Sequence, residues 1–416
     1  MWRSWTAMTL WKRIAIAFVL AVAIGTGMKA LGHGEAATAL QPLGLLFINA
    51  IKMLMVPIVF VTIVSGVTAL HDSGRLGRMG AKTIGLYLLT TAFAVTLGLV
   101  IAGLIEPGTG ITLPETGDDG PARAALTVRD LLVGLIPANP VKAMAEGNVL
   151  QIIVFALLFG LAINLAREAG RPVREFFDSA TQVMFKLVHL IMETAPFGIF
   201  ALILWVIGSL SAAELFRLVW IVVALYLACI LQMVLVYGGF ITVLARLSPV
   251  RFFQGIIDAQ AVAFSTSTSA GTLPVTMANV EDNLGVSKKV SGFVLPLGAT
   301  MNMDGTAIYM GIAAMFTAQA LGIDLSVSQY AAIILTGTLA SIGAASIPSA
   351  GLIIMPVVLN SVGLPLGAIA LFFPIDRIMD MMRTMTNITG DSMVAVLVAK
   401  SEGELDEATF TAPPVE

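Results

Sequence analysis

The sequence predicts an all-α polytopic membrane protein, and three observations support this fold class. The 416 residues are 57% hydrophobic and 12% charged, about half the charged fraction of a soluble domain. Apolar windows of about 20 residues, the length at which a helix crosses a bilayer, recur along the chain. Glycines and prolines interrupt several windows, so some segments should be broken. The only cysteine, Cys229, excludes an intrachain disulfide and a cysteine-based metal site.

The apolar windows predict eight spanning helices in a bilayer. These are residues 14–31, 43–70, 83–105, 126–165 (broken), 176–210, 218–245, 291–320 and 367–399. The first window follows Lys12 and Arg13 but lacks a convincing small-residue cleavage site, so we interpret it as a retained helix. Basic connections alternate with acidic or neutral ones, which by the positive-inside rule predicts that both termini are cytoplasmic. The acidic segment from Glu402 to Glu416 is predicted to be a disordered tail.

Two further stretches do not fit ordinary spanning helices. Residues 252–287 and 331–364 each contain a serine- and glycine-rich centre between apolar flanks. In the predicted topology, each must return to the side of the membrane from which it starts. We therefore predict two re-entrant helical hairpins that enter from opposite faces, in an arrangement of inverted repeats. Interrupted segments at corresponding places in two halves are typical of transporters whose binding site lies at the bilayer midplane. The alternative interpretation is a pair of surface loops rich in small residues.

The last spanning segment carries an unusual set of polar residues. At about 100° per residue, six of them share one helical face: Asp376, Asp380, Arg383, Thr384, Asn387 and Asp391. A charge at bilayer depth costs about 2.5–3.5 kcal/mol on insertion scales, so such residues are candidates for function. A stabilising ion-pair network is the alternative, but it leaves the threonine, the asparagine and the last aspartate unexplained.

The residue types on this face suggest the ligand. Arg383 carries a forked, permanent positive charge that can bind a carboxylate through two hydrogen bonds. Asp380 can hold an ammonium group, and Asn387 and Thr306 can bond a carboxylate or a hydroxyl. This combination suits an amino acid with an acidic side chain. Asp380 and Arg383 can also pair with each other.

Asp304 and Asp391 need a different explanation, because a buried carboxylate must be neutralised, paired or bound to a metal. Asn302, Asn387 and the carbonyl groups of the nearby helix break supply only oxygen ligands, which predicts a Na⁺ site. Protonation of either aspartate is the alternative. Tyr87, Thr90 and Thr91 add oxygens from another apolar segment.

At the hairpin centres, Ser269, Gly271, Gly343 and Gly351 could expose backbone amides to a ligand, or could simply allow tight packing.

Four motifs in order give the chain a specific resemblance. They are Ser-Ala-Gly-Thr-Leu-Pro at 269–274, Pro-Leu-Gly-Ala-Thr-Met-Asn-Met-Asp-Gly-Thr at 296–306, the serine- and glycine-rich tip at 341–351, and Asp-Met-Met-Arg-Thr-Met-Thr-Asn-Ile-Thr-Gly-Asp at 380–391. From about residue 14 to 402 the chain resembles the dicarboxylate/amino acid:cation symporter family, which includes the excitatory amino acid transporters and archaeal aspartate transporters. The resemblance implies the glutamate-transporter-homologue fold and a homotrimer in the cell (inner) membrane.

The resemblance also implies a division of labour along the chain. Residues 1–71 and 126–214 would form a scaffold that includes the trimer contacts, residues 72–125 and 215–400 a transport domain that moves like an elevator, and residues 401–416 a cytoplasmic tail. The second hairpin would be the gate. The implied partners are L-aspartate or L-glutamate, Na⁺, the lipid bilayer and further copies of the chain, without nucleic acid.

Residue roles follow from the resemblance position by position. Asp380 would hold the substrate amino group, Arg383 its side-chain carboxylate and Asn387 its main-chain carboxylate. The rest of the substrate site would comprise Thr306, Thr384, Gly351 and the tip amides around Ser269 and Ile347. The implied Na⁺ ligands are Gly298, Asn302, Asn387 and Asp391 in one site, Thr300, Ser341, Ile342 and Ala344 in a second, and Tyr87, Thr90, Thr91, Asn302 and Asp304 in a third.

Some positions depart from the family pattern. Ser267 stands where archaeal members carry an arginine opposite the acid at Asp376, so the sequence gives that acid no partner. Met310 replaces a glutamate that neuronal members use in proton movement, which weakens the case for that coupling mode. The alternative function is a proton-coupled glutamate or C4-dicarboxylate symporter.

No enzyme or pump motif competes with these interpretations. The sequence has no Gly-x-x-x-x-Gly-Lys phosphate loop for an ATP-driven pump. The Tyr-Asp and Gly-x-Gly-Asp settings of intramembrane aspartyl proteases are absent around Asp304, Asp380 and Asp391. We therefore expect a protein that is not an enzyme.

Overall fold

The computed structural model describes residues 10–33, 38–68, 75–111, 113, 136–209, 212–341, 349–373 and 375–413. Within these ranges every regular element is a helix, apart from an isolated antiparallel bridge between Val286 and Leu405. The predicted all-α class is therefore confirmed. By length and composition, the stretches Arg78–Ile105 and Phe216–Ala245 are apolar enough to cross a membrane, and shorter apolar helices accompany them.

The helices are numbered here in chain order. Those of the first half are α1 (Leu10–Ala30), α2 (Gln41–Thr68), α3 (Arg75–Ile105), α4 (Pro140–Ala145), α5 (Val149–Leu165), α6 (Arg171–Met192) and α7 (Ala195–Ser209). Those of the second half are α8 (Ala212–Leu231), α9 (Pro249–Gly255), α10 (Ile257–Thr266), α11 (Ser269–Ala278), α12 (Lys288–Met301), α13 (Asp304–Ala320), α14 (Val327–Ser341), α15 (Ala350–Ser361), α16 (Ile369–Phe372), α17 (Asp376–Glu402) and α18 (Glu407–Thr411).

One predicted helix is wrong as a single element. Residues 176–210 form α6 and α7, which are separated at Glu193 and Thr194. Pro196 explains the break, because proline has no N–H to donate and its ring clashes with the carbonyl group four residues earlier, that of Met192. The Thr194 hydroxyl donates to the carbonyl of Ile191 at 2.7 Å and so satisfies a group that the break leaves free.

The predicted segment 291–320 is interrupted where the sequence places its polar centre. α12 ends at Met301, α13 begins at Asp304, and Asn302 and Met303 have non-helical backbone angles. This break exposes the first amide groups of α13 to neighbouring side chains. The predicted segment 367–399 likewise divides into α16 and α17, and α17 extends to Glu402.

The two predicted hairpins each contain a pair of helices in contact. In the first pair, α10 and α11 are joined by Ser267, which has a left-handed φ of 56°, and by Thr268, whose hydroxyl accepts from the Gly271 N–H at 3.2 Å. In the second pair, α14 contacts α15. The intervening residues 342–348 lie outside the described part of the chain.

The helices pack in two groups. One consists of α1, α2, α5, α6 and α7, and Arg13 strengthens it by binding both carboxylate oxygens of Glu193 at 2.7 and 2.9 Å. The other consists of α3, α8, α10 to α15 and α17. The groups meet chiefly where the second helix pair lies against α2 and α5. Helix α17 is central in its group, with most of its side chains buried, so the polar face of that helix points into protein.

The prediction of a disordered C-terminal tail is wrong for residues 402–413. After α17 the chain turns back, and the Asp406 N–H donates to the Gly285 carbonyl at 2.8 Å. Helix α18 then packs on α9 and buries Phe410, which is 1% exposed. The apolar side chain of Phe410 and the Asp406 carboxylate, which caps α18 by accepting from the Ala408 N–H at 3.0 Å, give this acidic segment a fixed position.

Candidate functional site: a charged cluster beside two buried carboxylates

Arg383 is the centre of a buried charged cluster on α17. Its Nη2 donates to Asp380 Oδ1 at 2.6 Å and to Asp376 Oδ1 at 3.0 Å. Residues three and seven positions apart lie on one helical face, so α17 itself aligns these groups. The pairing of Asp380 with Arg383 that the sequence suggested is present. Asp376, for which the sequence gave no partner, binds the same nitrogen.

The rest of the Arg383 guanidinium faces α13 and α15. Its central carbon lies 4.2 Å from the ring centre of Tyr309, a distance typical of a cation–π contact. A side chain on Gly351 would collide with Nη1 and with the Tyr309 ring, so glycine lets α15 approach closely. Among the described residues, none accepts a hydrogen bond from Nε or Nη1. Nε and Nη1 therefore both keep free donors, and Nη1 is the one that faces Gly351.

The second helix pair also touches the cluster through its backbone. The Ser349 N–H donates to Asp380 Oδ2 at 2.9 Å, while Oδ1 of the same carboxylate is bound to Arg383. Asp380 therefore connects α17 with Ser349, the residue that precedes α15. This contact ties the position of the second pair to the charged cluster.

Asn387 lies one turn beyond Arg383 and contacts the break between α12 and α13. Its Oδ1 accepts from the Gly305 N–H at 2.8 Å, and its Nδ2 lies 3.2 Å from the sulfur of Met303. Asn387 therefore caps the exposed start of α13. Thr306 and Thr384 are both buried in this region.

Asp391 belongs to a second cluster at the same break. Its Oδ1 accepts from Asn302 Nδ2 at 2.9 Å. A side chain on Gly298 would collide with this carboxylate and with the Tyr87 hydroxyl, so glycine leaves these two groups close together. The Tyr87 hydroxyl itself donates to the Val294 carbonyl at 3.0 Å. The predicted ligands Gly298, Asn302 and Asp391 are therefore neighbours.

Asp304 is the centre of a third cluster and is completely buried. Its Oδ1 accepts from the Thr91 hydroxyl at 2.6 Å. Its Oδ2 accepts from the Tyr237 hydroxyl at 2.7 Å and from Gln232 Nε2 at 3.4 Å. Sequence analysis missed Tyr237 and Gln232. A glutamine inside an apolar window was the available signal for one of them.

The remaining predicted residues have different outcomes. Thr90 is buried beside the Asp304 cluster, where its backbone carbonyl accepts from Gln232 Nε2 at 3.1 Å. Ser341 ends α14 and Ser269 begins α11, and both are buried, but no described hydrogen bond joins either to Arg383. Thr300 lies near the end of α12, where its hydroxyl donates to the Leu297 carbonyl. Ile342, Ala344 and Ile347 lie outside the described residues.

The charges of the first cluster do not cancel. One guanidinium faces two carboxylates in a buried setting, and a buried charge requires close partners to offset its desolvation. The excess negative charge suits an ammonium group, and the unpaired side of the Arg383 fork suits a carboxylate. The arrangement can therefore bind a zwitterion that carries an additional anionic group.

An all-helical fold with polar clusters at interrupted helices is typical of a membrane transporter. The comparison with family models agrees, because the model of the sodium:dicarboxylate symporter family matches residues 10–401. The chain belongs to the sodium:dicarboxylate symporter family. Its function is accordingly that of a dicarboxylate/glutamate-type symporter in a membrane, and the family consists of transporters, not enzymes.

Individual relatives align over nearly the whole chain. A proton/sodium-glutamate symport protein of Bacillus subtilis (strain 168) is 34% identical over 406 residues, which cover 95% of this chain and 93% of the relative. The protein of the same name from Geobacillus stearothermophilus is 33% identical, with 95% of each chain covered. A C4-dicarboxylate transport protein 2 of Pseudomonas aeruginosa (strain UCBPP-PA14) is 34% identical, with 97% and 94% covered.

Proposed function

We propose that this protein imports an acidic amino acid, aspartate or glutamate, by secondary active symport with Na⁺. The observation that carries the proposal is the Arg383 guanidinium, which binds Asp376 and Asp380 through one nitrogen and keeps Nε and Nη1 unpaired among the described residues. A permanently charged guanidinium that keeps free donors is suited to binding a carboxylate.

The neighbours of Arg383 supply the remaining contacts of the proposed substrate. Asp380 would receive the substrate ammonium group, and Asn387 and the start of α13 would face its main-chain carboxylate. A C4 dicarboxylate has no ammonium group to offset the second acid of the cluster. The pair Asp380 and Arg383 therefore favours an amino acid over a simple dicarboxylate.

Two clusters of oxygen atoms support Na⁺ as the coupling ion. Asp391 lies beside Gly298, where the missing side chain leaves the carboxylate and the Tyr87 hydroxyl close together. Asn302 Oδ1 is buried, and no described residue donates a hydrogen bond to it. A carboxylate and an unpaired amide oxygen at a broken helix are suitable ligands for a hard monovalent cation.

The proposal also includes the transport mechanism and the assembly. The packing of the helices in two groups supports a division into a scaffold and a transport domain, and the second helix pair lies between the groups, where a gate would be needed. An elevator-type movement of the second group, in a homotrimer with both termini on the cytoplasmic side of the cell membrane, is consistent with this division. Na⁺ entry would gain about 2.3 kcal/mol per charge for each 100 mV of membrane potential.

Uptake of radiolabelled L-aspartate and L-glutamate into proteoliposomes tests the proposal. An inward Na⁺ gradient is compared with an inward proton gradient in Na⁺-free buffer, and liposomes without protein give the background. We expect concentrative uptake that requires Na⁺ on the outside. Uptake that a proton gradient drives equally well in the absence of Na⁺ would contradict Na⁺ coupling.

The second candidate is a proton-coupled symporter of glutamate or a C4 dicarboxylate. It is favoured by the Asp304 carboxylate, to which only neutral groups donate hydrogen bonds among the described residues. The names of two relatives, a proton/sodium-glutamate symport protein and a C4-dicarboxylate transport protein, also support this second candidate. Asp380→Ser separates the substrates, because loss of an ammonium receptor should reduce aspartate uptake far more than succinate uptake. Equal reductions would favour the second candidate.

A further inference from the structure

The Asp304 carboxylate is held by a helix that the family resemblance does not assign to it. Two of its hydrogen bonds come from residues just after α8, Gln232 and Tyr237. There the chain continues to Ala245 through two π-helical stretches, Gln232–Tyr237 and Ile241–Ala245, joined by the turn Gly238–Phe240. Gln232 and Tyr237 are the first and last residues of the first π-helical stretch.

The π-helical winding explains why both residues reach the same oxygen. In an α-helix, residues five positions apart point in directions that differ by about 140°. In a π-helix the hydrogen bonds join residues i and i+5, so these positions are stacked on one face. Gln232 Nε2 and the Tyr237 hydroxyl consequently converge on Asp304 Oδ2. Wider turns of this kind occur frequently at functional sites.

Gln232 also presents an oxygen without a partner. Its side chain is completely buried, Nε2 is bound to Asp304 and to the Thr90 carbonyl, and none of the described residues donates to Oε1. A buried acceptor without a donor is unfavourable, so its presence requires an explanation. Binding of a cation would satisfy it.

The neighbourhood of Tyr237 connects this oxygen with the Asp391 cluster. A Cβ atom on Gly390 would lie 2.9 Å from the Tyr237 hydroxyl and 2.6 Å from Asn302 Nδ2. Asn302 and Tyr237 are therefore neighbours beside this glycine, and Asn302 in turn binds Asp391. The two buried acceptors without donors, Gln232 Oε1 and Asn302 Oδ1, belong to one continuous polar region that contains both carboxylates.

We propose that Tyr237 positions the Asp304 carboxylate for a small monovalent cation, that Gln232 is a ligand of this cation, and that the π-helical stretch sets the affinity for it. Tyr237 fixes the orientation of the carboxylate, and Gln232 supplies Oε1 to the cation. This inference rests on the proposed cation symport and extends its cation site from α3 and α13 to the π-helical stretch after α8. The cation site then depends on three segments of the second packing group.

Cation titrations of the purified, full-length protein test the inference. Protein in detergent, without substrate, is titrated with NaCl and with LiCl at constant ionic strength while intrinsic tryptophan fluorescence and the thermal unfolding midpoint are recorded. L-aspartate affinity is then measured by calorimetry at saturating Na⁺. The variants are Tyr237→Phe and Gln232→Leu. The matched control is Thr242→Val, because Thr242 lies in the same segment and its hydroxyl donates to the Gly238 carbonyl at 2.8 Å.

We expect both variants to raise the half-saturating Na⁺ concentration by about tenfold or more, because each loses a hydrogen bond to a charged group. Both should also change the ratio of the Li⁺ and Na⁺ midpoints. L-aspartate affinity at saturating Na⁺ should stay within about twofold of the parent protein, and Thr242→Val should leave all values unchanged. If Gln232→Leu does not fold, Tyr237→Phe decides the test, since it removes a single hydroxyl group.

Three results would contradict one or the other proposal. A parent protein that shows no response to either cation would contradict the proposed Na⁺ coupling itself. A parent protein that responds to Na⁺ while Tyr237→Phe keeps the parent's Na⁺ midpoint and Li⁺/Na⁺ ratio would overturn the role of the π-helical stretch. A parallel loss of Na⁺ and L-aspartate affinity in the variants would also overturn it, because that result indicates a general structural effect.

Discussion

Arg383 binds the carboxylate of Asp376, seven residues earlier on the same helix, with 3.0 Å between Nη2 and Oδ1. In archaeal members of the family that the chain resembles, an arginine at the tip of the first helix pair faces the acid at this position, and this chain has Ser267 there, so the resemblance leaves the partner of Asp376 unknown. The structure instead gives Asp376 and Asp380 a common partner. A different arginine of α17, Arg377, contacts the first helix pair, where its Nη2 donates to the Ser265 carbonyl at 3.2 Å. The substrate-binding arginine is therefore held within α17 by two acids.

Asp376→Asn is expected to strengthen the binding of an acidic substrate. The buried Asp376 carboxylate repels an incoming carboxylate and competes with it for Arg383, and asparagine removes the charge while it keeps an oxygen acceptor. We expect a gain of about 1 kcal/mol, or about fivefold in Kd for L-aspartate. Calorimetry at saturating Na⁺ measures the Kd, and initial rates of uptake show whether tighter binding slows release. Unchanged or weaker binding would show that Asp376 does not oppose the substrate.

Arg383→Lys should lose acidic substrates although it preserves the charge. Lysine presents a compact ammonium group and cannot offer two parallel donors to a carboxylate. Loss of a charge-assisted hydrogen bond costs about 1.5–3 kcal/mol, so we expect the Kd for L-aspartate to rise by about 10- to 150-fold. Arg377→Lys is the control, because Arg377 lies on the same helix but binds the Ser265 carbonyl. Equal effects of the two substitutions would refute the assignment of Arg383.

The sequence predicts the first cluster well because its geometry is local. Asp376, Asp380, Arg383 and Asn387 are placed on one face by helical periodicity alone, and the break at Asn302 is signalled by polar residues within an apolar segment. The spacing of Asp376 and Arg383 already allowed their contact, while the resemblance directed attention to the first helix pair. Local periodicity is therefore sufficient when the interacting residues share one helix.

Contacts between distant helices were much less predictable. Gln232 and Tyr237 meet Asp304 across about 70 positions of sequence and through a π-helical winding, for which the sequence has no simple periodic signal. The break between α6 and α7 depends on a single proline, a residue that other helices of this chain, such as α2 with Pro57, accommodate. Tertiary packing determines whether a proline breaks a helix and which distant side chains meet, and the local sequence pattern alone does not reveal that packing.

Gly298→Ala should specifically weaken cation binding. The added methyl group would collide with the Asp391 carboxylate and the Tyr87 hydroxyl, so one of these groups must move. We expect the half-saturating Na⁺ concentration to rise by about tenfold, in line with the 1–3 kcal/mol that overpacking typically costs. Thermal unfolding midpoints measured across a Na⁺ titration provide the value.

Gly292→Ala is the matched control for this substitution. Gly292 lies six residues earlier on α12, and a side chain there would have no neighbour within 4 Å. Alanine also has the higher helix propensity, so this variant should be at least as stable as the parent and should keep its Na⁺ midpoint. If both alanine variants show the parent's Na⁺ midpoint, Asp391 is not part of a cation site.

Glu402 makes the C-terminal end of α17 sensitive to acid. It lies beyond the predicted spanning segment 367–399 and accepts from Lys82 Nζ at 2.6 Å and Arg78 Nη2 at 3.1 Å, which joins α17 to α3. The hydrogen bonds from Lys82 and Arg78 lower the pKa of Glu402 from its ordinary value of 4.5 to about 2. Because the folded-state pKa is depressed, this contribution to stability is complete above about pH 4.5 and is lost as the pH falls towards 2.

Glu402→Gln tests this dependence, since glutamine keeps the shape but cannot ionise. We expect the parent to have a higher unfolding midpoint than Glu402→Gln at pH 6, and the two midpoints to converge as the pH falls from about 4.5 towards 2. Glu407→Gln is the control for a carboxylate outside α17, because Glu407 pairs with the partly exposed Lys400. A difference between parent and Glu402→Gln that stays constant over this pH range would show that the α3–α17 contact does not depend on the charge of Glu402.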